Sequence, residues 1–191
     1  MPAPLTRELV IATARAQLEA GGTSQLSLRA VARELNVTAP ALYLYVADKH
    51  DLLAAVAEDH FERLVERFEA VDDPDPLVRI RQLSQAYVDH ALSSPALFPL
   101  MFRYPPTRVA QRDAFPPAAR AFEVASATTQ AAIDQGLLNV ESATEASTIM
   151  WCAMHGVAEI ALMGYTADTA ATHDLLRRVV DTVLAGQQAA R

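Results

Sequence analysis

Apolar residues recur along this chain three and four positions apart, and no stretch alternates strictly between apolar and polar with β-branched enrichment. A period near 3.6 gives a helix one buried face, whereas a half-buried strand needs a period of two. This one feature commits the chain to an all-α fold. The 11 prolines and 6 glycines fall mostly between the periodic segments, where they punctuate helices. Leu5, Leu9, Ala12 and Ala16 mark a first helix that should stop at Gly21-Gly22. Ser27 is an expected N-cap for a second, carrying Leu28, Val31, Ala32 and Leu35. Asn36, which tolerates a left-handed backbone, should turn the chain. Thr38 should cap a short third helix with Pro40 in its first turn, running to about Tyr45. A fourth helix should open at Asp48 and reach Ala70, before the breaker DDPDP at 72–76. Further helices are expected over 76–93, 118–135 and 142–163, with a last one ending at Gly186. A short helix or turn should bend the chain at 95–99, and Arg103 to Pro117, with four prolines, should be irregular and mobile.

With 51% hydrophobic residues in 191, the chain can bury a substantial core, which excludes wholesale disorder. The single cysteine, Cys152, forms no internal disulfide and supplies no thiolate cluster, and no HExxH-type spacing occurs, so no metal or cofactor is expected. Thr148–Met163, the most apolar stretch, is 16 residues long and contains His155 and Glu159; it is too short and polar to span a bilayer. The opening MPAPLTRELV lacks the pattern of a secretory signal, so a cytoplasmic location is expected. The net charge of −7 is unevenly spread. Residues 1–53 carry Arg7, Arg15, Arg29, Arg33 and Lys49 against Glu8, Glu19, Glu34, Asp48 and Asp51, so all the excess acidity lies in the remainder. The neutral N-terminal part leaves room for DNA binding. Two domains are expected, 1–53 and 54–191.

Two short helices joined by Leu35-Asn36-Val37-Thr38 have the layout of a helix-turn-helix, whose second helix enters the major groove. Small residues Ala39 and Ala41 let the backbone approach the bases, and alanine can meet a thymine methyl. Thr38 can bond a phosphate. Lys49, the only lysine, sits in the first turn of a helix. A cation there opposes the helix dipole, and a phosphate partner would account for it. Arg33 reads more simply as a solvated residue. From Leu26 to Val56, LSLRAVARELNVTAPALYLYVADKHDLLAAV resembles the DNA-binding signature of the TetR family of transcriptional regulators. The matching elements are Leu28-x-x-Val31-Ala32, Val37-Thr38, Leu42-Tyr43-x-Tyr45 and Asp48-Lys49-x-x-Leu52-Leu53. The resemblance implies a three-helix head, a linking fourth helix, and a helical ligand-binding and dimerisation body. It makes Tyr43 a phosphate contact and packs Tyr45 inward. The expected DNA-binding set is Ser27, Arg29, Thr38, Ala39, Pro40, Ala41, Tyr43, Leu44 and Lys49. Two positions depart from the family pattern: Asn36 stands where the turn usually has Gly, and Leu44 where His is frequent.

In the body, Trp151-Cys152-Ala153-Met154-His155-Gly156 resembles the Trp…His-Gly signature of one C-terminal subclass of that family. At i and i+4, Trp151 and His155 share a helix face. They either floor a ligand pocket or are core, with the histidine satisfied by a backbone carbonyl. Tyr87, Phe98, Met101, Phe102 and Phe122 are the candidates for the remaining apolar lining. A two-residue-wide stripe of Leu175, Leu176, Val179, Val180, Val183 and Leu184, with Ala153, Ala158 and Ala161 in the preceding helix, suggests a homodimer interface of two helices per chain; packing on the subunit's own core is the alternative. The function expected is a DNA-binding regulator, a repressor released from a palindromic operator on double-stranded DNA by a small apolar or aromatic effector. The competing readings are a helical protein-interaction module and a small Cys152/His155 enzyme, for which no orienting acid or oxyanion nest is evident.

Overall fold

The computed structural model describes residues 4–103 and 116–188, and among these the chain forms nine helices and no strand. They are α1 (Arg7–Gln25), α2 (Leu28–Glu34), α3 (Ala39–Leu42), α4 (Lys49–Glu69), α5 (Pro76–Ser93), α6 (Phe98–Arg103), α7 (Pro116–Asp134), α8 (Ala143–Leu162) and α9 (Thr169–Gln187). The described residues fall into two compact units, one within Met1–Arg63 and Ser94–Pro117, the other within Leu64–Ser93 and Ala118–Arg191. The expected irregular segment between Arg103 and Pro117 lies outside the described residues over 104–115; Arg103 ends α6, and Pro116 and Pro117 open α7.

Local chemistry explains most helix boundaries. The Thr6, Ser27, Ser142 and Asp168 side chains accept the backbone N–H of Leu9, Ala30, Glu145 and Ala171, so α1, α2, α8 and α9 begin on a side-chain cap. At the start of α4 the capping is reciprocal. Asp48 Oδ1 accepts Asp51 N–H at 2.8 Å, and Asp51 Oδ2 accepts Ala47 N–H at 2.8 Å. Asn36 adopts φ 55°, and the bonds Asn36 N–H to Arg33 O and Val37 N–H to Ala32 O form a Schellman motif. Gly136 and Gly164 close α7 and α8 with the same pair of bonds. Asparagine thus does in the helix-turn-helix what glycine does elsewhere. Boundaries differ from expectation at α3 and α1. α3 ends at Leu42 rather than near Tyr45, with residues 43–45 in a turn. Gly22 (φ 68°) breaks the first helix, but residues 23–25 resume a helical turn, so α1 reaches Gln25 across a kink.

The first unit is organised around Val10, Ala14, Leu18, Leu26, Val31, Leu42, Leu52 and Val56, all fully buried. Leu97 and Leu100, from the bend and α6, complete that core. The sequence pattern alone associates this bend with the body. In the second unit α8 packs on α5 and α9, burying Ile80, Leu83 and Val88 against Met150, Met154, Val157, Leu176, Val180 and Leu184. Arg81–Asp181 (2.9 Å) and His173–Asp89 (2.6 Å) tie α5 to α9 at the surface. The apolar stripe of α9 therefore divides. Leu176, Val180 and Leu184 are buried in their own chain, as is Ala158 on α8, so Leu176, Val180 and Ala158 are core rather than interface contacts. Val179 and Val183 on α9, with Ala153 and Ala161 on α8, stay half-buried.

Candidate nucleic-acid interface and effector site

The turn at Asn36 sets α3 against the core of its unit through Leu42 and Val46. Proline at the start of α3 sacrifices no helical bond, since the first N–H groups lack intrahelical partners. The next three residues are sorted by burial. Tyr43 is 58% exposed and Leu44 83% exposed, whereas Tyr45 packs on the core and its hydroxyl donates to the Leu5 carbonyl at 2.7 Å. One tyrosine points out and the other ties the N-terminal segment to the turn. That anchor joins residues forty positions apart, so no local pattern announces it.

Thr38 occupies the N-cap of α3 and is exposed, yet its hydroxyl makes no capping bond. It differs from Ser27, whose hydroxyl is engaged with Ala30 N–H at 3.1 Å. Arg29 and Pro40 are exposed, Ala41 is half-buried, and Ala39 is turned partly into the core. Lys49 is exposed, and its Nζ donates to the Thr23 carbonyl at 2.9 Å, an intramolecular partner that its position in the sequence does not foretell. In this unit the structure thus keeps Arg29, Thr38, Pro40, Tyr43, Leu44 and Lys49 at the surface.

In the second unit Tyr87 lies at the centre of a polar cluster spanning α5 and α8. Trp151 Nε1–H donates to its phenol oxygen at 3.1 Å, and that oxygen lies 2.8 Å from His155 Nδ1. Indole is a donor only, so the phenol accepts from Trp151 and its own hydrogen is available to Nδ1. His155 then carries its proton on Nε2, 3.9 Å from Glu159 Oε1. Burial lowers the His155 pKa below the ordinary value, with Glu159 opposing, and burial raises that of Tyr87. Both shifts favour a neutral relay. Phe122 meets Trp151 edge to face, ring centroids 6.5 Å apart. The imidazole is therefore satisfied by a phenol, not by the backbone carbonyl that the sequence leaves open.

The other expected lining residues belong to the first unit. Phe98 and Met101 are fully buried there, and Phe102 stacks edge to face on both Phe98 (5.4 Å) and Phe61 (5.8 Å). The expected set is thus split between two aromatic clusters, one in each unit. Cys152 is exposed, and no group of three metal-ligating side chains occurs among the described residues. Nor is any described helix long and apolar enough to cross a membrane.

A capped helix-turn-helix with an exposed recognition element, followed among the described residues by further helices and no strand, defines a DNA-binding regulator. Residues 10–56 match the family model for bacterial regulatory proteins of the tetR family, and residues 80–183 match that of the tetracyclin repressor-like C-terminal domain. The chain belongs to the tetR family, whose members are DNA-binding regulators and not enzymes. No curated protein matches it. Among solved structures it is similar to a Rhodococcus sp. RHA1 protein of unknown function, with 26% identity and a TM-score of 0.86 over 98% of this chain and 97% of that one. The fold is shared with the TetR family transcriptional regulator PfmR of Thermus thermophilus (16% identity, TM-score 0.69, covering 95% and 99%). It is also shared with the transcriptional regulator FadR of Bacillus subtilis in complex with stearoyl-CoA (14% identity, TM-score 0.76, covering 95% and 99%).

Proposed function

We propose that this tetR-family regulator is a homodimeric repressor that leaves a palindromic operator when a small, mainly apolar or aromatic effector binds its body. The observation that carries the DNA half is the sorting within Tyr43–Tyr45, which presents Tyr43 and Leu44 outward while anchoring the turn behind them. Thr38, Tyr43 and Lys49 supply phosphate contacts, Ser27 and Arg29 stand at the start of the helix that braces the motif against the backbone, and Ala39, Pro40, Ala41 and Leu44 belong to the element that meets the bases. The cluster of Trp151, His155, Tyr87 and Phe122 is our candidate effector site, in keeping with the Trp…His-Gly subclass. The Tyr87 phenol accepts from Trp151 and lies against His155 Nδ1, which fixes the orientation of the three rings that a ligand would meet. The complex of B. subtilis FadR with stearoyl-CoA supports an effector with a large apolar part. Dimerisation is assigned to α8 and α9. Ile149, Ala153, Gly156, Ile160 and Met163 follow a three-four spacing along α8, and Ile149, Ile160 and Met163 are exposed. Val179 and Val183 continue this face on α9.

An effector releases DNA only if it binds better to a conformation whose two heads no longer match the operator. α4, continuous from the first unit into the second, is the lever we assign. The test is a mobility shift on the DNA flanking the protein's own gene at several salt concentrations. A sequence-specific dimer gives a steep fall of affinity with salt and a strong preference for a palindrome. Binding with no sequence preference at any salt refutes the proposal.

A further inference from the structure

The recognition element is short of hydrogen-bonding side chains. Between Ala39 and Leu44 the only one is the Tyr43 phenol. Leu42 is fully buried and Ala39 is partly turned into the core, so the residues left for a DNA groove are Pro40, Ala41, Tyr43 and Leu44. α3 ends at Leu42, and Tyr43 still keeps right-handed helical backbone (φ −66°, ψ −8°), so Leu44 follows Pro40 and Ala41 about one turn on and extends the face that they begin. That face is apolar and ends in a leucine that is 83% exposed. In the major groove the base edges of A, G and C present polar atoms, and the sole apolar group is the thymine 5-methyl. A leucine laid over a polar edge strips its water and returns no hydrogen bond, whereas over a methyl both partners gain.

We propose that Leu44, with Ala41 beside it, reads thymine 5-methyl groups, so that each operator half-site carries a thymine whose methyl is needed for affinity. This rests on the reading of the head as the DNA-binding unit. Burying one methyl is worth about fourfold in affinity at ~0.8 kcal/mol, and two symmetric half-sites make that about sixteenfold.

The experiment starts with the full-length protein and a pool of duplexes randomised over 30 base pairs. The best-bound duplex is resynthesised with deoxyuridine replacing each thymidine in turn, symmetrically in both half-sites, which removes the 5-methyl and leaves base pairing intact. The expected result is one or two positions at which uracil weakens binding about sixteenfold, the others being silent. Leu44→Ala should lose a comparable factor on the thymine duplex and be indifferent to uracil at that position, with an unchanged circular dichroism spectrum. Uniform insensitivity to uracil overturns the proposal while leaving DNA binding intact. So does a Leu44→Ala protein that keeps full sensitivity at the same position. If no duplex is enriched at all, the DNA-binding reading fails and this inference fails with it. The uracil scan needs no variant, so it decides the matter even if Leu44→Ala folds poorly.

Discussion

Val179 and Val180 are neighbours on α9, and the structure assigns them opposite fates under the same substitution. Val180 is only 2% exposed, against α5 and α8, whereas Val179 is half-buried. Val180→Glu places a carboxylate among the buried apolar residues of the second unit. An uncompensated buried charge costs about 3–5 kcal/mol, and losing two buried methyls adds roughly 1.6 kcal/mol. Against a total stability of about 5–15 kcal/mol, the protein should be largely unfolded. Val180→Ala removes the methyls alone; with the cavity included it should cost roughly 2–3 kcal/mol and lower Tm by roughly 5–10 °C. Val179→Glu adds its charge where a single chain is open to water, and should cost a monomer less than about 1 kcal/mol. In a dimer joined through α8 and α9 the same charge meets the partner's apolar face. The expected product is a folded monomer whose operator affinity is at least about a hundredfold weaker, because one head has lost the other. Ile160→Glu on α8 should repeat that phenotype. Sedimentation velocity gives the mass, circular dichroism the fold, and a mobility shift the affinity. If Val179→Glu and Ile160→Glu remain dimers with full operator affinity, the assigned interface is wrong. If Val180→Glu instead yields a well-folded monomer, the packing of α9 in the second unit is wrong.

Tyr43→Phe and Lys49→Ala should weaken binding to operator and random duplexes by similar factors, because phosphate contacts position the protein without specifying sequence; parallel mobility shifts on both DNAs check this. Asn36→Val should destabilise the protein by about 1–3 kcal/mol, since a β-branched residue strains the φ of 55°, while Asn36→Gly should be close to neutral; thermal melts compare the two. Burial depresses the His155 pKa, so as pH falls through about 6.5 the unfolded chain takes up a proton before the folded one does. Stability from this group is complete above that pH and declines below it, and His155→Asn should flatten the slope of denaturant midpoint against pH there.

Much of the fold is legible because it is written locally. The Schellman turn at Asn36 and the caps at Ser27, Ser142 and Asp168 each lie within a few residues of the helix they end or begin. Asp75, the last acid of the DDPDP breaker, caps α5 by accepting the N–H groups of Leu77 and Val78. What eludes sequence reading depends on distant partners. Leu97 and Leu100 look like any apolar bend, and only tertiary packing places them in the core of the first unit. The bond of Lys49 to the Thr23 carbonyl, and of Tyr45 to Leu5, join segments with no periodic relation. Trp151 and His155 are paired by their i, i+4 spacing. Tyr87, which hydrogen-bonds both, comes from another helix, and its place between them has no signature in the chain. The two-residue-wide stripe on α9 is visible as a pattern. A pattern alone does not say which of its columns faces the chain's own core, and burial answers that for Leu176, Val180 and Leu184.

The central claim is that one molecule couples an effector in the body to DNA at the head, and a single titration addresses both ends. Trp151 is the only tryptophan, so its emission reports on the proposed site without ambiguity, while a dye-labelled operator in the same cuvette reports release by anisotropy. Small apolar and planar aromatic metabolites are titrated into the full-length protein–DNA complex. The account predicts that a releasing ligand changes both signals with one midpoint, and that Trp151→Phe, which removes the hydrogen bond to Tyr87, shifts the release midpoint measured by anisotropy. Operator release with unchanged Trp151 emission, together with a Trp151→Phe protein that responds at the wild-type concentration, would contradict it.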